Sequence, residues 1–183
     1  MADPVIYLAR HATPDWTRTD IPYHTPPGPP LTEQGRAEAQ ALGAYLAREG
    51  VRRIYASPLE RAQHTAELAG AVMGAPVEIV WDIREWELQE AEEAVGQRMW
   101  TFWQRVVAES RQEGPIALVS HGGPIRILLE RLGVEPERLA SYRTRFDGNN
   151  PLPPAGVWKA SRQGQGWSAR LDFVPGKAQE TPG

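Results

Sequence analysis

The sequence predicts an α/β domain in three layers, with a mostly parallel central sheet, helices on both faces and a C-terminal hairpin at the sheet edge. Two patterns carry this reading. Short runs of strand formers alternate with stretches whose apolar residues recur at helical spacing, as in βα units joined by crossovers. Near the end, two strand-like runs follow each other across glycines, as in a hairpin. At 183 residues and 41% hydrophobic, the chain is long enough to bury a substantial core. Its length suits one domain over residues 1–175, followed by a frayed tail over 176–183.

Val5, Ile6, Tyr7 and Leu8 form the first strand, which runs into Arg10 and His11. The segment from Pro14 to Pro30 is too rich in proline for regular structure, because proline fixes φ and removes a donor, so it reads as a long loop beside the first strand's end. Thr32 suits an N-cap, and Ala39, Leu42, Tyr45 and Leu46 mark a helix that Gly50 stops. A second strand spans 52–57, and Pro58 opens a helix carrying Arg61, Thr65 and Leu68. A third strand is expected over 77–83. Val95, Met99, Phe102 and Val106 then make the inward stripe of a helix ending near Gly114. Ile116 to Ser120 is a fourth strand, His121, Gly122 and Gly123 its exit turn, and Ile125, Leu128, Leu129 and Leu132 one more helix. The hairpin strands are 157–161 and 167–173.

Composition narrows the chemistry. The absence of cysteine excludes disulfides, thiolate metal sites and a cysteine nucleophile, and it suits a reducing, cytoplasmic setting. The start has an acidic residue and a proline where a secretory signal needs a basic start, and no stretch approaches the ~20 apolar residues that span a bilayer. A net charge of −3 gives no general pull toward nucleic acid or anionic membrane, so any cationic role is local. The four histidines do not fall at zinc-ligand spacing and there is no HExxH, so no metal site is expected. A homodimer is left open.

In open α/β sheets, ligands bind beyond the carboxyl ends of the strands. The residues there are Arg10 and His11, then Ser57 and Arg61, then His121 and Gly122. Two histidines and two arginines converging on one spot suit phosphoryl transfer. Arginine spreads fixed positive charge over phosphate oxygens, and a neutral imidazole, kept so by nearby arginines, can attack in line. His24 in the proline-rich loop and His64 on a helix read as solvated or capping residues. Trp100 and Trp103 read as core. Trp16 and Trp86 flank the pocket, where either could stack on a leaving group. Arg126, a turn into the last helix, reads as a structural ion-pair partner.

The stretches LARHATPDW, LTEQGRAEAQALGAYL, ASPLERAQHTAE and LVSHGGPIRILL, in this order, resemble the motifs of the histidine phosphatase superfamily across essentially the whole chain. The resemblance implies a phosphoglycerate mutase-like, cofactor-independent phosphatase acting on a small phosphorylated metabolite. His11 would become phosphorylated, and Arg10, Arg61 and His121 would hold the phosphoryl group. Ser57 and Gly122 are further phosphate-binding candidates. The general acid of such proteins follows the third strand, and in IREWELQEAEE the best match is Glu85. Glu87, Glu90 and Asp15 are the alternatives. A mutase that returns the phosphoryl group to a sugar acid, and a phospho-ligand binding module without turnover, are the competing readings.

Overall fold

A computed structural model describes residues 2–176, so most of the expected tail lies outside the described residues. Six strands form one sheet in the order β3-β2-β4-β1-β5-β6. Strands β1 (Val5–Arg10), β2 (Arg53–Ala56), β3 (Val77–Ile79) and β4 (Ile116–Ser120) are mutually parallel. Strands β5 (Val157–Gln163) and β6 (Gly166–Phe173) form the expected hairpin along one edge, with β5 antiparallel to β1 and β6 outermost.

Alternation along β1 and β4 divides the core. Ile6, Leu8, Ile116 and Leu118 face a cluster built with α3 (Glu92–Glu113) and α4 (Gly122–Arg131). Tyr7, Ala9, Ala117 and Val119 face α1 (Glu33–Arg48) and α2 (Glu60–Met73). Strands sandwiched on both faces must read as continuous apolar runs, which is why they stood out in the sequence. Thr32 caps α1 by accepting from the Gly35 N–H at 3.0 Å. The α1–α2 contact is tight: a Cβ on Gly43 would come within 2.7 Å of the Ala69 carbonyl oxygen.

Two expectations need correction. The third strand ends at Ile79, not at residue 83, and Trp81–Ile83 is a 3-10 turn. Its partner β2 ends at Ala56, paired with Ile79, so no ladder remains to extend it. The turn instead buries Ile83, whose carbonyl accepts from Ser120 Oγ at the end of β4 at 2.7 Å. A helix was also missed, α5 (Pro136–Arg143), which buries only Leu139 and so carries almost no periodic signal. No helix of the described residues is long and apolar enough to cross a membrane.

Candidate active site

Strands β1 and β4 end level, Arg10 opposite Ser120, and a histidine follows on each. The His11 N–H donates to the Ser120 carbonyl at 3.0 Å, while the His11 carbonyl accepts from Ala155. The sheet therefore forces the two imidazoles together, with ring centroids 5.2 Å apart. His11 Nδ1 lies 2.8 Å from the Ala12 carbonyl oxygen. A carbonyl only accepts, so Nδ1 carries the proton and Nε2 keeps its lone pair. Thr65 fixes this turn: its Oγ1 accepts from the Ala12 N–H at 2.9 Å and donates to the Arg61 carbonyl at 2.6 Å.

His121 is the N-cap residue of α4, and its Nε2 is 2.7 Å from Ser57 Oγ. Its Nδ1 lies 3.3 Å from Glu85 Oε2. Both histidines are fully buried, and burial lowers their pKa well below the ordinary value, with the positive charge of Arg61 the next cause for each. Arg10 and, for His121, the His11 ring push the same way. At neutral pH both rings are uncharged.

Arg61 is wholly buried under the ring of Tyr23, its guanidinium carbon 4.0 Å from the ring centroid. It donates to the Tyr23 carbonyl at 2.8 Å and to Glu85 Oε2 at 3.0 Å. Arg10 sends both terminal nitrogens to the Asp147 carboxylate at 2.7 Å, and Nη1 also reaches the Leu152 carbonyl at 3.3 Å. Two buried guanidinium nitrogens beside His11, Arg10 Nε and Arg61 Nε, have no hydrogen-bond partner. Buried nitrogens are seldom left so, and a tetrahedral oxyanion offers the acceptors they lack.

A cavity of about 220 Å³ opens onto this group, with His11, Arg10, Glu85 and the first turn of α4, Gly122 and Gly123, among its walls. The N-terminal end of a helix favours negative charge there. Trp16 and Tyr23 line it from the 14–30 loop, and Asp147, Gly148 and Asn150 from the segment after α5. That loop is packed in place: the Asp15 N–H donates to the Pro30 carbonyl, and the Pro27 carbonyl accepts from Glu60. A Cβ on Gly122 would overlap the Asn150 side chain, so a larger residue there would have to displace Asn150 from the cavity wall.

Of the residues singled out from the sequence, Arg10, His11, Glu85 and Gly122 line the cavity. His121, Arg61 and Ser57 are fully buried, and Ser57 holds His121 without itself lining the cavity. The three alternative carboxylates lie elsewhere. Glu87 pairs with Arg84 at 2.8 Å, and Glu90 with Arg98 at 2.7 Å, which holds its carboxyl below the usual range. Asp15 is bonded to the Thr17 hydroxyl, which lowers its pKa. Trp86 packs against the core with its indole N–H on the Glu90 carbonyl, and Arg126 pairs with Glu92 and Glu130. His24 Nδ1 meets the Trp86 carbonyl, and His64 sits 3.7 Å from Glu60. Among the described residues, no group of three or more histidines and carboxylates is placed to hold a metal ion. Sequence reasoning missed Asp147, Tyr23 and the anchoring role of Thr65. Only Thr65 left a signal, one helical turn beyond Arg61.

The sequence signature of the histidine phosphatase superfamily (branch 1) matches this chain over residues 6–94 and 87–167. A 2,3-bisphosphoglycerate-dependent phosphoglycerate mutase of Beijerinckia indica is 37% identical over 76 residues, which are 40% of this chain; the match covers 36% of that relative's length. Two solved structures share the fold. A mycobacterial glucosyl-3-phosphoglycerate phosphatase in complex with VO3 superposes with a TM-score of 0.73 at 20% identity, covering 93% of this chain and 98% of the other. A candidate α-ribazole-5′-P phosphatase of Escherichia coli gives a TM-score of 0.69 at 25% identity, over 93% and 96%.

Proposed function

Because the chain belongs to the histidine phosphatase superfamily, we propose that it hydrolyses a phosphate monoester of a small metabolite through a phosphohistidine on His11. The observation that carries this is the state of His11: a buried, neutral ring whose Nδ1 proton is committed to the Ala12 carbonyl, leaving the Nε2 lone pair free at a cavity that Glu85 also lines. The solved relatives named as phosphatases support the same direction.

In the first step the Nε2 lone pair attacks phosphorus and the bond to the leaving oxygen breaks, while the Glu85 carboxylic acid gives that oxygen its proton. The alcohol departs and the phosphoryl group stays on His11. In the second step water attacks phosphorus, Glu85 as carboxylate takes a water proton, and the P–N bond breaks to release inorganic phosphate. Arg10, Arg61 and His121 stabilise the charge on the transferring oxygens, and the α4 N-terminus adds to their field. Ser57 positions His121. The same Glu85 serves as acid and then base, so the cycle closes with no net proton change on the enzyme.

Turnover of p-nitrophenyl phosphate in EDTA by the wild type, His11→Ala and Glu85→Gln tests this. Wild type should turn over, His11→Ala should be inactive, and Glu85→Gln should lose about 10²–10⁴-fold. A wild type inactive on this ester and on a panel of natural phosphate esters rejects the proposal. The Beijerinckia relative supports a second reading, return of the phosphoryl group to a sugar acid. Phosphorus NMR of 3-phosphoglycerate, read for isomerisation against phosphate release, separates the two.

A further inference from the structure

The charges at the cavity nearly cancel before any substrate enters. Its charged walls are Arg10, Glu85 and Asp147, with Arg61 buried behind. Asp147 takes the end-on fork of Arg10 at 2.7 Å on both nitrogens, and its side chain stays 38% exposed. Arg10 is left to meet a phosphate through its unpartnered Nε. Even with Asp147 alone set against the two arginines, a phosphate dianion takes up all the positive charge there, and none remains for a further anion. The other cations of the Asp147 segment do not line the cavity: Arg143 donates to the Asn149 carbonyl at 2.8 Å and Arg145 lies over Tyr142 at 5.2 Å. Another part of the cavity wall is apolar, the half-exposed Trp16 indole.

Building on the hydrolase reading above, we infer that the site selects esters with one phosphate on an uncharged leaving group, seated against Trp16. Asp147 turns away leaving groups that carry a carboxylate or a second phosphate. A like charge a few ångströms from a half-exposed carboxylate is repelled, and salt screens that repulsion. This makes Asp147 a specificity residue that acts through its charge.

The test compares kcat/KM for phenyl phosphate and 4-carboxyphenyl phosphate, for the wild type and Asp147→Asn, at low and high salt. Wild type should favour phenyl phosphate by about tenfold, the ratio should shrink as salt rises, and Asp147→Asn should shrink it severalfold at low salt. Intrinsic reactivity differences between the two esters cancel when the ratios are compared. The salt series needs only the wild type and tests the charge selection even if the variant fails to fold, while a folded Asp147→Asn with the wild-type ratio overturns the assignment to Asp147. Trp16→Ala should raise KM for phenyl phosphate more than for glycerol 3-phosphate. Equal efficiency on both aryl esters, or a ratio indifferent to salt, overturns the inference and leaves the hydrolase reading standing. A wild type that turns over neither ester removes both.

Discussion

A histidine that attacks phosphorus must keep its lone pair, and His11 keeps it because burial, Arg61 and Arg10 all oppose protonation. The ring resonances of His11 and His121 should accordingly hold their neutral positions in an NMR titration from pH 7.5 down through 6.5, the ordinary value of the group. Protonation of His11 near that value would reject the assignment of its environment. Thr65 supports the same ring at one remove. Replacing it with valine keeps the volume but strips the Ala12 N–H of its acceptor, and a buried donor left unpaired costs about 1–3 kcal/mol. Thr65→Val should therefore lower thermal stability by that amount and slow kcat more than it raises KM. Residues at strand ends were legible because strand position and chemistry coincide there. Asp147 was not, because its partner Arg10 is 137 positions away and nothing local marks an acidic turn residue as an arginine's counterion.

Elements with strong periodicity and a buried face were read correctly, and the misses follow from what periodicity cannot carry. Residues 77–83 are mostly strand formers, yet strand length is set by the neighbour, and β2 stops at Ala56. The consequence is useful, since the 3-10 turn that replaces the rest of the strand brings Glu85 to the cavity. The α1–α2 packing rests on small residues, Ala39, Ala62, Ala66 and Ala69, with Gly43 at the closest approach. Gly43→Val would press against the Ala69 backbone, which cannot yield as a side chain could. Overpacking of this kind costs about 1–3 kcal/mol, and denaturant unfolding should show a lower midpoint with an unchanged slope. The hairpin is tied to α1 by polar contacts: Tyr45 Oη donates to Asp172 at 2.6 Å and Lys159 pairs with Glu49 at 2.7 Å.

For the whole molecule, the two neutral histidines set how stability depends on pH. Their folded pKa values lie well below 6.5, the value expected when unfolded. Above 6.5 both states are neutral and the pair contributes no slope. Below it the unfolded chain binds up to two protons that the folded chain refuses, so stability falls as pH drops, by at most about 2.7 kcal/mol per pH unit. Thermal denaturation should show Tm declining from pH 6.5 to 5, and His121→Gln should roughly halve that decline. Depressed carboxylates such as Glu90 and Glu109 start from 4.5 and act only at lower pH. The sheet order carries a consequence for biosynthesis. Strand β1 lies between β4 and β5, and β5 begins only at Val157. Until the chain has been made as far as β5, β1 lacks its second neighbour and His11 its contact with Ala155. The growing polypeptide thus carries an open strand edge beside His11 until the hairpin is complete.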